Sequence, residues 1–414
     1  MSGWKGHSYE HLYSEQKTAL HNASRKDIWD ICQLLLTKRA DPNLKDSEGK
    51  TALHYASETG SSKICHVLLL YLADPNLKDS KKKTALHYVA EKGSFDVCEM
   101  LLSYSADPNL KDSEGKTALL YAAEKGSLKI CQLLLNKGAD PNLEYSEGKT
   151  ALHYASEIGT SEMCHLLLRY GADPNLQDSR KKTPLFYAAE KGSFDVCEML
   201  LSHSADPNLK NFNGKTALFY ATEKGTFYFC HLLLSNGADP NLKDSKKRTP
   251  LFYAVEQGRF DICEMLLSHS TDPNLKDFEE KTTLLYAVEK GKQFICKLLS
   301  YGADPNLKNG EGKTALHYAS EIEELDFYMC WLLLRYGADP NLKDTEGKTA
   351  LNYAHEKDHE KQEHDICHLL LSHGADPNLK DSEKFCCCYD KTPIQWQEEY
   401  EMYQEVGRSV FRIF

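Results

Sequence analysis

The chain has 414 residues and is acidic, with a formal net charge of −11, which argues against nucleic acids and anionic membranes as its main partners. It is too long for one compact core, yet no linker interrupts the sequence. No run of 18 apolar residues occurs, and residues 1–5 lack the apolar region of a signal peptide, so we expect no membrane span.

The segment 50–60, KTALHYASETG, returns throughout the chain. Its threonine first recurs every 33 residues, and the last steps drift to 32, 35 and 43 residues. A constant period in this range predicts a stacked array of repeats in place of a single core. The threonines are Thr18, Thr51, Thr84, Thr117, Thr150, Thr183, Thr216, Thr249, Thr282, Thr314, Thr349 and Thr392.

The period divides the chain into three parts. Residues 1–17 precede the first motif and are predicted to form an N-terminal cap segment. Residues 18–380 are predicted to form eleven repeats of about 33 residues. Residues 381–414 are predicted to be a degenerate repeat followed by a capping tail.

Each repeat shows the signals of a turn and two helices. The stretch 44–50 has the Asp and Gly of a tight turn, which we call a finger. Thr51 is placed to cap the first helix, and Gly60 is placed to end it. Apolar residues such as Leu68 form the stripe of the second helix, and Pro75 then stops it.

These motifs resemble the ankyrin repeat family. The similarity rests on Thr-Ala-Leu-His at 51–54, on Gly60, on the apolar stretch 64–69 and on Ala-Asp-Pro-Asn at 73–76. The last motif occurs eleven times, once as Thr-Asp-Pro-Asn. The resemblance implies an all-α solenoid of about eleven stacked repeats, with β-turn fingers and paired antiparallel helices. It also implies that the motif histidines bond local backbone, and that first helices and fingers line a concave groove.

Cysteines recur once per repeat in the second helix and are predicted to be small buried residues. Stacked helices lie about 8–10 Å apart, which is too far for disulfides between equivalent cysteines of neighbouring repeats. The cluster Cys386–Cys388 falls outside this pattern. The recurring cysteines are Cys32, Cys65, Cys98, Cys131, Cys164, Cys197, Cys230, Cys263, Cys296, Cys330 and Cys367.

No motif predicts catalysis, a metal or a cofactor. The Gly-Lys-Thr at 49–51 lacks the glycine that a phosphate-binding loop needs five residues earlier, because Leu44 stands there. Cys65 and His66 are adjacent on a helix and point in different directions, so they cannot act as nucleophile and base. We therefore expect a protein that is not an enzyme and carries no cofactor.

Three rows of residues are the candidate partner-binding site. Tyr and Glu are spaced by three on the first helix, which places them on one face, and Lys or Arg lies at the finger base. Tyr is a common interface anchor, so we expect the rings to face out of the stack and to bind a partner in the middle repeats. The alternative is that the tyrosines only pack together and that Glu and Lys pair as solvated surface. The residues are Tyr121, Tyr154, Tyr187, Tyr220 and Tyr253; Glu124, Glu157, Glu190, Glu223 and Glu256; and Lys116, Lys149, Lys182, Lys215 and Arg248.

The sequence therefore predicts a monomeric, non-enzymatic scaffold that binds another protein in the cytoplasm or nucleus, and no nucleic acid. One alternative is a substrate adaptor that recruits a second machine, such as a ubiquitin ligase, through its C-terminal end. A weaker alternative is a thiol or redox protein that uses Cys386–Cys388.

Overall fold

The computed structural model describes residues 16–290, 294–321, 326–361 and 365–379. The predicted cap segment before residue 16, the degenerate repeat, the tail and Cys386–Cys388 lie outside the described residues. The chain divides into two compact units, Met1–Phe212 and Asn213–Phe414, and each is considered separately. The described residues form helices and turns with no strand, which confirms the all-α prediction.

The first unit contains six repeats, each with two described helices. They are α1 Ala19–Arg25, α2 Trp29–Thr37, α3 Ala52–Thr59, α4 Ser62–Leu70, α5 Ala85–Lys92, α6 Phe95–Ser103, α7 Ala118–Glu124, α8 Leu128–Asn136, α9 Ala151–Ile158, α10 Ser161–Arg169, α11 Pro184–Lys191 and α12 Phe194–Ser202.

The second unit contains five repeats with the same alternation of a first and a second helix. Its helices are α13 Ala217–Lys224, α14 Phe227–Ser235, α15 Pro250–Glu256, α16 Phe260–Ser268, α17 Thr283–Glu289, α18 Ile295–Ser300, α19 Ala315–Glu321, α20 Asp326–Arg335, α21 Ala350–Lys361 and α22 Asp365–Ser372.

A threonine and a histidine begin many of the first helices, as the motif predicts. The backbone N–H of Thr51 donates to Nδ1 of His54 at 3.0 Å, which satisfies a group that the helix leaves without a partner. The Nε2–H of His54 donates to the carbonyl of Lys83 in the next repeat, at 3.1 Å. The histidine therefore bonds local backbone and also ties two repeats together. Gly60 ends the helix at φ 79°, in the left-handed region.

Apolar side chains from neighbouring repeats form a core that runs along each unit. In the first unit, α3 packs against α1 and α5, and α4 packs against α2 and α6. Leu53, Ala56 and Leu68 are almost fully buried between these helices. Every repeat thus depends on its neighbours for burial, as expected for a repeat array.

Polar side chains link consecutive loops as well. The Nδ2 group of Asn43 donates to the carbonyl of Leu72 at 3.0 Å, and its Oδ1 accepts the N–H of Asp74 at 2.8 Å. The Nζ of Lys45 donates to the carbonyl of Lys78 at 2.7 Å. Because equivalent bonds recur in later repeats, the loops and fingers keep one register within each unit.

The recurring cysteines are buried free thiols, with two departures. Burial raises the pKa of Cys65 and Cys131 to about 12, which disfavours the reactive thiolate. Cys296 is exposed, so the prediction of burial is wrong there. Repeat nine is one residue short before α18, and Ile295 takes the buried position while Cys296 turns outward. Cys367 is half-buried.

The late repeats also differ in their first helices. Helix α21 spans 12 residues, whereas α3 spans 8, so part of the polar insertion after Tyr353 continues the helix. Residues 322–325 and 362–364, which fall within the two irregular segments, lie outside the described part of the chain.

We expect the core to tolerate loss of Cys131 better than loss of Leu134. Both are fully buried, but Leu134→Ala removes more apolar volume and leaves a larger cavity, at a cost of roughly 2–5 kcal/mol. Urea unfolding of the two single variants measures the difference. Equal losses of stability would mean that the thiol does more than fill space.

Candidate functional site

An aspartate organises each finger and the first helix that follows it. In the sixth repeat, Oδ1 of Asp178 accepts the backbone N–H groups of Arg180 and Lys182, both at 2.8 Å. Its Oδ2 accepts the phenol O–H of Tyr187 at 2.6 Å. One carboxylate thus holds the turn of the finger and the ring of the helix together. We call this residue the finger aspartate.

The tyrosines of the candidate site lie beneath the surface. The rings of Tyr121 and Tyr187 in the first unit and of Tyr253 in the second are only 7–9% exposed, and Tyr154 and Tyr220 are half-buried. The expectation that these rings face out of the stack is therefore wrong for Tyr121, Tyr187 and Tyr253. Burial, followed by the hydrogen bond to Asp178, raises the pKa of the Tyr187 phenol well above its usual value. Contact of these rings with a partner stays a prediction.

The ten Lys or Arg side chains at the finger bases, from Lys50 to Lys348, each pair with the glutamate eight residues later. Lys116 Nζ lies 2.8 Å from Glu124, and the Lys182 and Glu190 side chains are equally close. Burial lowers the pKa of Lys116, but Glu124 and the nearby carboxylates Glu114 and Asp112 together outweigh burial and raise it. The other pairs are Lys50–Glu58, Lys83–Glu91, Lys149–Glu157, Lys215–Glu223, Arg248–Glu256, Lys281–Glu289, Lys313–Glu321 and Lys348–Glu356.

The same cations also lie over tyrosine rings. In the first unit, Lys149 Nζ is 4.7 Å from the ring centre of Tyr187, one repeat farther on. In the second unit, Lys215 Nζ is 4.5 Å from the ring centre of Tyr253. Such cation–π contacts stabilise a cation held against the face of a ring. Each of these cations therefore contacts both a buried tyrosine ring and a more exposed glutamate.

The exposed fractions of these side chains show which groups a partner can reach. Across the ten pairs, the Lys and Arg side chains are 14–22% exposed and the glutamates 25–55%. The carboxylates are therefore the outermost layer of the three rows. We call this surface the glutamate face, and it is considered separately in each unit.

The second unit shows a variation that the sequence analysis did not expect. Arg248 lies 3.8 Å from Glu256 and also 3.7 Å from the finger aspartate Asp277 of the next repeat. The phenol of Tyr286 donates to Glu256 at 3.1 Å in place of its own finger aspartate. The longer side chain of Arg248 thus reaches the finger aspartate of the next repeat, and the phenol of Tyr286 bonds Glu256 instead.

Sequence reasoning assigned the finger aspartate to the turn and missed its hydrogen bond to the tyrosine, although the signal was present. An aspartate stands nine residues before the tyrosine in most repeats, as Asp178 stands before Tyr187. The fifth repeat breaks the pattern, because Tyr145 stands where the aspartate belongs. Its finger contains a short 3-10 turn in which Glu147 adopts a φ of 64°, a left-handed conformation that is strained for glutamate.

Replacing Tyr145 with Asp should stabilise the fifth repeat by about 2 kcal/mol. The new carboxylate can accept the N–H groups of Glu147 and Lys149 and the phenol of Tyr154, and a net hydrogen bond contributes about 0.5–1.5 kcal/mol. Thermal melts of the full chain measure the gain. Tyr145→Asn serves as a comparison, because Asn309 accepts the same two N–H groups in the tenth repeat. A lower melting temperature for Tyr145→Asp would contradict this role.

Comparison with known proteins identifies the family of this chain. The family model described as "Ankyrin repeats (3 copies)" matches residues 5–79, 64–145, 137–211, 204–277 and 284–381. The chain belongs to the ankyrin repeat family. This finding confirms the solenoid fold predicted from the motifs, and it supports a protein–protein interaction domain.

Among solved structures, one similar chain is "the ankyrin repeat domain of Bcl-3: a unique member of the IkappaB protein family". The two share 27% sequence identity over 50% of this chain and 94% of that chain, with a TM-score of 0.47. No curated protein matches this ankyrin repeat protein.

The buried thiols of the described residues are poorly suited to act as nucleophiles. Burial raises the pKa of Cys164 to about 11 and that of Cys230 to about 12, so these thiols stay protonated at neutral pH. The described residues contain no group of three His, Cys, Asp or Glu side chains that could hold a metal ion. No helix in the described part of the chain is long and apolar enough to cross a membrane.

Proposed function

We propose that this ankyrin repeat protein is a non-enzymatic scaffold that binds another protein through the glutamate face, in the cytoplasm or the nucleus. The observation that carries the proposal is the layered arrangement of the three rows. Half-exposed carboxylates lie above cations, and the cations lie above buried phenols, in repeat after repeat.

The layers give each row a separate role in binding. In the fourth repeat, the formal charges of the contacting side chains Asp112, Lys116 and Glu124 sum to −1, so this group carries an excess of negative charge. A partner segment with Lys or Arg side chains can therefore compete for the exposed glutamates. Charge of this kind sets orientation and association rate more than it sets affinity.

The buried tyrosines support the face from below. The phenol of Tyr187 is held by Asp178, and its ring is covered by Lys149, so the ring keeps the cation and its glutamate in place. We propose that a partner contacts the edges of the half-buried Tyr154 and Tyr220 where it displaces water, and that the fully buried rings act indirectly.

The test uses the first unit of the full chain and replaces Glu124, Glu157 and Glu190 with Gln. Exposed ion pairs contribute about 0–1 kcal/mol each, so the triple variant should melt within a few degrees of the native chain. Binding of a partner that proximity labelling identifies should weaken about tenfold, and the salt dependence of the association rate should fall.

The matched control is Glu198→Gln, which removes an exposed carboxylate from the second helix α12. This change should leave partner binding unaltered. A photo-reactive residue at position 157 should crosslink to the partner, whereas the same residue at position 198 should not. Crosslinking at 198 alone, or unchanged binding of the triple variant, would overturn the proposal.

A further inference from the structure

Two leucines in the second repeat depart from the pattern of all other repeats. Leu70 is the last residue of α4 and is 57% exposed, and Leu72 follows it and is 83% exposed. Each of the other ten repeats has a polar residue at the first position and Gly, Ser or Arg at the second. The residues in place of Leu70 are Thr37, Ser103, Asn136, Arg169, Ser202, Ser235, Ser268, Ser300, Arg335 and Ser372, and those in place of Leu72 are Arg39, Ser105, Gly138, Gly171, Ser204, Gly237, Ser270, Gly302, Gly337 and Gly374.

Neither leucine contributes to folding in an evident way. Leu72 has a φ of 65°, in the left-handed region where the side chain of an L-residue is crowded and glycine is favoured. Side chains as exposed as these gain only part of the hydrophobic stabilisation that a buried leucine contributes. The same left-handed conformation occurs at the equivalent residues Arg39 and Ser105, so what distinguishes this repeat is the apolar exposure, which points to a contact surface.

A groove lies beside these leucines, between the second helices of the first two repeats. It has a volume of about 380 Å³ and is formed by α2 and α4. The α4 residues that line it are spaced by three, four and seven, so they form one stripe along the helix. The lining residues are Trp29, Gln33, Lys63, His66, Val67 and Leu70.

The charge of the lining indicates what the groove binds. Lys63 makes no ion pair with any described residue, and no carboxylate lies among the described lining residues. One repeat farther along the chain, Asp96 stands in place of Lys63, Glu99 in place of His66 and Ser103 in place of Leu70. Lys129 and His165 repeat single positions farther along the chain, but no other repeat combines a lysine, a histidine and a leucine at these three positions.

We propose that this groove binds an amphipathic α-helix of a partner protein, with apolar side chains at positions i, i+3 or i+4, and i+7 and acidic side chains beside them. The apolar residues would contact Trp29 and Leu70, and the carboxylates would pair with Lys63. A concave site favours inserted side chains over the flat surface of a membrane. The site uses second helices only, so it is independent of the glutamate face.

The test selects ligands from a displayed library of 16-residue helical peptides on the full chain. The library has apolar residues on one face and random Glu, Lys or Gln on the flanks. We expect acidic members to be enriched. The double variant Leu70→Ser/Leu72→Gly should bind them at least tenfold more weakly, as measured by fluorescence anisotropy.

This double variant should fold as well as the native chain, or better, because both replacements occur at these positions in other repeats. Its thermal melt is the check. Ser105→Gly is the matched control, since it makes the equivalent change one repeat farther on and should leave peptide binding unaltered. Lys63→Glu should shift the selection towards basic peptides.

Several results would overturn the proposal. They are equal peptide binding by the native chain and the double variant, or enrichment of neutral or basic peptides on the native chain. If the native chain sediments with phosphatidylserine vesicles and the double variant does not, the leucines would be assigned to membrane binding. If the native chain self-associates in ultracentrifugation and the double variant does not, the leucines would be assigned to contact with a second copy of the chain. None of these variants alters a residue of the glutamate face, so the two proposals fail separately.

Discussion

Tyr187→Ala should lower the free energy of unfolding by about 3–5 kcal/mol. The ring is 7% exposed, and its removal leaves a cavity between two first helices of the first unit. It also leaves the Oδ2 atom of Asp178 without its phenol donor. Urea unfolding of the full chain measures the loss. A loss under about 1 kcal/mol would contradict this packing role and would favour the ring as an exposed partner contact.

The phenol and the ring can be separated with Tyr187→Phe. This variant keeps the ring and removes only the hydrogen bond to the charged Asp178, so we expect a loss of about 1.5–3 kcal/mol. Tyr154→Phe is the matched control, because Tyr145 occupies the place of its finger aspartate. We expect the control to change stability by less than about 0.5 kcal/mol.

The first unit should lose stability as the pH falls below about 6.5, the usual pKa of histidine. Burial lowers the pKa of His54, His87 and His153 in the folded protein, against the raising effect of carbonyl hydrogen bonds. The unfolded chain then binds more protons than the folded one, so stability falls as the pH drops towards the folded pKa. The three histidines together contribute a slope of up to about 4 kcal/mol per pH unit.

The hydrogen bonds of the buried imidazole hold its neutral form. Nδ1 of His153 accepts the N–H of Thr150 at 3.1 Å, and Nε2–H donates to the carbonyl of Lys182 at 3.1 Å. A proton on Nδ1 would break the bond from the Thr150 N–H and leave only the Thr150 hydroxyl oxygen, 2.9 Å away, as an acceptor. In the second unit, His317 has the same bonds, and burial lowers its pKa as well.

His153→Asn should reduce the pH dependence by about one third of the contribution of the three histidines. Asn352 already performs the capping role in the eleventh repeat, where its Oδ1 accepts the N–H of Thr349 at 2.8 Å. We expect the variant to be less stable than the native chain at pH 7.5. Because asparagine does not titrate, the variant should lose less stability on acidification. Urea melts at pH 7.5, 6.5 and 5.5 measure both effects. Parallel curves for the two proteins would contradict the assignment.

The sequence alone predicted the repeats, the helix caps and the eleven-fold pattern, because these depend on local spacing. It did not predict the orientation of Tyr187. A helical wheel separates this ring from Leu185, but it cannot show that the finger folds over the ring and offers Asp178 as an acceptor. That contact joins residues nine apart through a turn, and its geometry depends on the finger.

The exposed Cys296 shows a second limit of sequence reasoning. Counting 33 residues from Cys263 places it in the core. The packing register of the helix is instead set at its C-terminal end, where the carbonyl of Leu298 accepts the N–H of Ala303 at 3.0 Å. The missing residue therefore displaces the cysteine and leaves Ile295 in its place.

The side-chain bridges of Asn43, Lys45 and His54 have a mechanical consequence. Each bridge joins a repeat to the next one only, so a pulling force along either unit loads similar sets of bonds in series. The weakest interface yields first, and the others keep their bonds. One released repeat of 33 residues lengthens the chain by up to about 110 Å, at roughly 3.3–3.6 Å per residue. Each unit is therefore built to extend stepwise under tension, one repeat at a time.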